Sequence, residues 1–132
     1  MSFESQLSDF TKKSLRHTNR VKKGAAIELF SRVILDTPVD EGRARGNWLT
    51  TIGGDPNYSV LRTGITGAAN EVVTEVQRSK LEDTLVFTNN LPYIERLEDG
   101  HSKAQAPHGM VKKNIISMGH ILKRKAAENG GL

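Results

Sequence analysis

Cysteine is absent from the 132 residues, which removes disulfide frameworks, thiolate zinc sites, iron-sulfur clusters and cysteine nucleophiles together. The chain must be held by packing or by neighbouring subunits. No apolar run approaches the roughly 18 to 20 residues needed to cross a bilayer, and Met1 to Phe10 is too polar for the core of a signal peptide. The expectation is a protein made without an export signal and with no membrane partner. With 36% apolar residues the length suits one compact domain, 1–132, with no room for a separate catalytic domain and lid.

Catalytic signatures are equally scarce. There is no Gly-x-Ser-x-Gly elbow and no phosphate loop ending in Gly-Lys-Ser/Thr. Glu98, His101 and His108 fall within eleven positions, but their spacing matches no zinc helix motif or standard loop set. The pairs Asp40/Glu41 and Glu95/Glu98 read as solvated charges beside turns. The chain is therefore expected to be no enzyme, with no metal and no cofactor.

What is present is a segregated charge. Residues 1–35 hold seven Lys/Arg against three Asp/Glu, residues 36–100 six against eleven, and residues 101–132 six against one. The net +4 thus divides into +4, −5 and +5. Two basic ends around an acidic middle suit complementary subunit surfaces better than one nucleic-acid groove.

From Ser2 to about Leu35 there is no proline, and Phe3, Leu7 and Phe10 at i, i+4 and i+7 predict an amphipathic helix. Between them and a dense apolar stretch from Ala25 to Leu35 lie Lys12, Lys13, Arg16, Arg20, Lys22 and Lys23 with no acid among them. This band is a candidate contact for nucleic acid or an acidic partner, although no base-stacking aromatics interleave with it. One helix over the span would be roughly 50 Å long at 1.5 Å per residue. It is expected to break near Gly24, which costs about 1 kcal/mol relative to Ala in a helix interior, or to pack on a neighbour.

Pro38 ends this N-terminal helix, residues 1–37. Ala44 to Ile52 alternates as a strand anchored by Trp48. Gly53 to Gly67 reads as a long exposed loop, Ala68 to Arg78 as a helix with strand the alternative that its β-branched residues leave open, and Thr84 to Thr88 as a strand closed by Asn89-Asn90. A single amphipathic turn follows Pro92, with Tyr93, Ile94 and Leu97 inward, and stops at Gly100. Val111, Ile115, Met118 and Leu122 predict a last helix, with 128–132 a flexible tail. The fold class is α+β: a long N-terminal helix, a small antiparallel or mixed sheet, a middle helix and a C-terminal helix.

Two stretches carry a resemblance. Thr37-Pro-Val-Asp-Glu-Gly-Arg-Ala-Arg-Gly-Asn-Trp48 follows the long helix, and Thr88-Asn-Asn-Leu-Pro-Tyr-Ile-Glu-Arg-Leu-Glu-Asp-Gly-His-Ser102 continues through Lys103-Ala-Gln-Ala-Pro-His-Gly-Met-Val111. In order and separation the chain resembles the small neck proteins of tailed bacteriophages, called head-tail joining, tail-completion or minor tail proteins. The resemblance implies a ring-forming virion protein, typically hexameric, made in the host cytoplasm and placed at the head-tail junction. Its partners would be copies of itself, connector or adaptor proteins, and tail tube or terminator proteins, with DNA passing through the lumen without sequence recognition.

On that resemblance the motif or interface residues are Asp40, Gly42, Arg43, Arg45, Trp48, Asn89, Pro92, Tyr93, Glu95, Leu97, Glu98, Gly100, His101 and Ser102. Gly42 would shape the turn from helix to strand, Trp48 would fill the core, and Gly100 would permit a left-handed cap. Arg43 and Arg45 would pair with Glu95 and Glu98 within or between subunits. The acidic middle would line the channel and repel DNA. The alternative is a nucleic-acid-binding accessory protein using the basic helix 12–23.

Overall fold

The computed structural model describes residues 2–39, 42–100, 105–106 and 108–129. Asp40, His101 and Ser102, and the last three residues of the expected flexible tail, lie outside them. The architecture is α+β: a long N-terminal helix, a two-stranded antiparallel sheet, and further helices.

Helix α1 (Phe3–Asp36) opens on Ser2, whose hydroxyl accepts the Ser5 amide at 3.1 Å, and closes on Thr37 before Pro38. It does not break at Gly24. The side chain of Lys125 lies over that position, 3.2 Å from where a Cβ would stand. Glu28, one turn further on, is ringed by Arg32, Arg124 and Lys125. The glycine is the place where the last helix approaches.

The expected strand from Ala44 starts later. Arg43–Gly46 is a single helical turn, α2, entered from Gly42 in the left-handed region at φ 74°. Strand β1 (Trp48–Ile52) pairs antiparallel with β2 (Leu85–Asn89), Trp48 opposite Asn89 and Thr50 opposite Phe87. The expected alternation is absent even in the strand, since Trp48, Leu49 and Thr50 are all buried; Ala44 and Gly46 are buried within α2, Gly46 against the Arg62 carbonyl.

Helix α3 (Thr66–Arg78) turns Ala68, Val72 and Val76 inward and leaves Val73 exposed, as a 3.6-residue period requires. These three, with Val33 and Ile34 of α1, Trp48, Ala106 and Met110, form the core. Phe87 is stacked between Phe30 and Trp48, with ring centroids 4.3 and 4.7 Å away. The indole N–H of Trp48 donates to the Thr37 hydroxyl at 2.9 Å, which donates to the Val33 carbonyl at 2.6 Å. The polar handle of the one tryptophan is thus satisfied inside the core and locks the end of α1 to the sheet.

The chain continues through α4 (Ile94–Glu98), α5 (Val111–Ile116) and α6 (Met118–Glu128). One C-terminal helix was expected; it bends at Ser117, whose amide bonds the Asn114 carbonyl three residues back. The bend also alters which face is inward. Ile121 is fully buried, whereas Ile115 and Leu122 are exposed.

Candidate functional site

The two stretches that carry the resemblance meet in space. The Asn89 side chain donates to the Ala44 carbonyl at 2.9 Å, and the Val39 amide donates to Oε1 of Gln105 at 2.7 Å. Asn114 donates to Asp36 at 2.8 Å. A cleft of about 270 Å³ opens between them, lined among others by Trp48, Phe87, Ile94, Glu95, Glu98 and Met110.

Glu98 occupies the wall of that cleft and is fully engaged by its own chain. One carboxylate oxygen accepts the amides of Met110 and Val111, both at 2.8 Å, and the other accepts the amide of Lys112 at 2.9 Å. A carboxylate on the free N–H groups at the start of α5 satisfies donors that would otherwise be orphaned. Gly109, at φ 80°, is required here, because a Cβ would overlap the Glu98 carbonyl. The Glu98 side chain thus ties the end of α4 to the start of α5, and Gly100 stands in the left-handed region at φ 87°.

Arg45 is likewise internal. Its guanidinium donates to the carbonyls of Leu35 (2.8 Å) and Thr37 (2.7 Å), closing the C-terminus of α1. The expected pairing of Arg45 with Glu98 therefore does not occur within the chain: each group has stronger local partners. Arg43 and Glu95 are exposed, Leu97 packs against the core, and Pro92 and Tyr93 precede α4.

The basic band of α1 divides in two. Lys22 donates to the carbonyls of Lys80, Leu81 (2.9 Å) and Asp83, and Lys23 to that of Gln77 (2.8 Å). Both serve the turn after α3, where free carbonyls attract cations. Lys12, Lys13, Arg16 and Arg20 stay exposed.

Other residues matter that the sequence analysis passed over. Arg62 donates to the carbonyls of Gly46 (2.7 Å) and Trp48 (2.8 Å) and pairs with Glu71 at 3.2 Å, while Glu71 accepts the Thr50 amide at 2.9 Å. This pair covers the outer edge of β1. Buried Asn47 bonds the Arg43 carbonyl and the Val60 amide, tying down a loop that reads as free. The one available signal was an amide amid apolar neighbours. The outer edge of β2 has no such cover: Gly53 donates to Thr84, which fixes Leu85, Phe87 and Asn89 as the outward-facing backbone, and Phe87 has no outward partner among the described residues.

Among the described residues no group of three or more His, Cys, Asp or Glu is placed to hold a metal ion, and no helix is long and apolar enough to cross a membrane. Compared with protein-family models, curated proteins and solved structures, the chain finds no match.

Proposed function

We propose that the chain is a structural subunit of the head-tail junction of a tailed bacteriophage, a neck or tail-completion protein that assembles with its own copies into a ring. The observation that carries this reading is the first half of α1. Residues 2–13 are exposed throughout, with Phe3 76%, Leu7 53% and Phe10 56% accessible. A helical arm of this length is marginal alone in water, and an apolar stripe on it is what a neighbouring subunit covers.

The free edge of β2 supports the same reading, since a strand of a neighbour adds there through main-chain bonds. So does the use of the motif residues: Asn89, Arg45, Glu98 and Gly109 hold the shape of their own chain. Exposed Arg43 and Glu95 are available for pairing between subunits. The ring would join connector proteins to the tail, sixfold as in the family it resembles, and pass DNA without reading it. Phage particles made without this chain should appear in negative stain as filled heads separated from tails. Intact virions from the same lysate would refute the assignment.

A nucleic-acid-binding accessory role is the second reading, favoured by the projection of Lys12, Lys13, Arg16 and Arg20 from one arm. Four phosphate contacts would give a salt dependence with a logarithmic slope of about −3.6 on duplex DNA. A gel shift by the monomer with that slope would support it.

A further inference from the structure

Leu61 is 98% accessible, the most exposed large apolar side chain among the described residues, yet the backbone that carries it is pinned. On one side of it the Val60 amide donates to Oδ1 of Asn47 at 2.7 Å. On the other, Arg62 is fixed by the carbonyls of Gly46 and Trp48 and by Glu71. Tyr58 and Ile65 of the same segment are exposed as well. Single apolar side chains on a surface are ordinary. One held between two bonded neighbours differs, because covering it with a partner costs little further ordering.

The cleft of about 270 Å³ at the end of β2 has the reciprocal shape. Trp48, Phe87, Ile94, Met110 and Val111 make its apolar surface, and the charged residues that line it are both acids, Glu95 and Glu98. Glu98 is engaged by three amides, whereas Glu95 is exposed and has no ion pair among the described residues. One turn of helix with its side chains fills more than about 400 Å³, so the cleft is sized for a side chain. Its chemistry asks for an aliphatic group with an unengaged cation beside it.

Three large apolar side chains protrude furthest: Leu61, Ile116 at 85% and Phe3 at 76%. Phe3 is followed by Glu4, which the acids of the cleft repel. Ile116 has Lys112 and Lys113 one turn back, but these pair with Asp99 and Asp36. Leu61 has Arg43 at hand. Helix α2, which carries it, is bonded to the Leu61 segment through Asn47 and through the Gly64 amide on the Gly42 carbonyl at 2.9 Å. Arg43 is exposed and without an ion pair among the described residues. We infer that Leu61 of one copy enters the cleft of a second copy, where Arg43 pairs with Glu95. Leu61 lies clear of its own chain, so the contact is between copies, and because knob and cleft are different surfaces its repetition closes a ring or extends a filament. The inference rests on the ring reading for its biological role, but it fails separately. Rings formed normally by a Leu61-altered chain would preserve the ring reading and remove this contact, while Leu61-dependent assembly without a virion phenotype would do the reverse.

The test is a charge exchange across the contact in the full-length chain, read by light scattering after size exclusion over a range of concentrations, with circular dichroism confirming that each variant is folded. Leu61→Asp changes a side chain that touches almost nothing of its own chain, so the fold should be kept while the concentration needed for assembly rises by about tenfold or more. Arg43→Glu and Glu95→Arg each bring like charges together and should each weaken assembly. Arg43→Glu/Glu95→Arg restores opposite charges and should recover most of what the single changes lose. Three results would overturn the inference: an unaltered chain that stays monomeric, a Leu61→Asp chain that assembles normally, or a double variant that assembles no better than the singles.

Discussion

Glu98→Ala should lower the unfolding free energy by about 3 kcal/mol and the melting temperature by roughly 10 °C. Three backbone amides converge on this carboxylate at 2.8 to 2.9 Å. Met110 is fully buried, so its amide, once the carboxylate is gone, has no water to turn to. The Lys112 amide is exposed and recovers a solvent partner. Bonds to a charged acceptor contribute about 1.5 to 3 kcal/mol each, and a buried donor left unpaired costs about 1 to 3 kcal/mol.

Glu98→Gln distinguishes capping from mere bulk. Its carbonyl oxygen can still accept from Met110 and Val111, while its amide faces only the exposed Lys112 donor, so the loss should be near 1 kcal/mol. Chemical denaturation of the monomer checks both variants. Unchanged monomer stability with weakened self-association would instead place the work of Glu98 between subunits.

Gly46→Ala should destabilise by about 3 kcal/mol, although Ala exceeds Gly in helix propensity by about 1 kcal/mol. Gly46 ends α2 against the 62–63 backbone, and a Cβ there would overlap the Arg62 carbonyl. That backbone cannot retreat. Arg62 is held by Gly46, Trp48 and Glu71, and the Gly64 amide donates to the Gly42 carbonyl at 2.9 Å. Gly119→Ala supplies the opposite sign, since nothing lies within 4 Å of its Cβ position in α6. It should gain about 0.5 to 1 kcal/mol. Urea midpoints for the two variants should move in opposite directions; a shared direction would mean propensity, not the crowding at Gly46, governs both sites.

The contrast between those glycines explains what could be read in the chain alone. Helix α1 was legible because its first 35 residues lack proline and Pro38 follows, and α3 and β2 because local periodicity agreed with tertiary burial. Gly24 misled because propensity is local, whereas the crossing of Lys125 over it is a contact across 101 residues of sequence. The break at Ser117 was hidden for a related reason: Val111, Ile115, Met118 and Leu122 repeat across it as one stripe in the sequence, while the residue turned inward beyond it is Ile121. Lys22 and Lys23 read as part of a contact for nucleic acid or an acidic partner because their acceptors are backbone carbonyls, which leave no trace in composition.

Within the motif stretches the structure shows which side chains serve their own chain. Gly42, Trp48, Asn89 and Gly100 do shape turns or fill the core, as expected. Arg45 and Glu98 looked like interface charges, yet both terminate helices. Charge type alone does not distinguish an ion pair from a cap, since each needs a partner of opposite polarity. The surfaces proposed for assembly include the apolar Phe3–Phe10 arm and the main-chain edge of β2.

Native mass spectrometry of the purified full-length chain over a range of concentrations tests the central claim most directly. The account predicts one dominant closed species of fixed copy number, six by the family it resembles, seen as a ring with a central channel in negative stain. A chain that remains monomeric at all concentrations, with the apolar arm still in solvent, would contradict it.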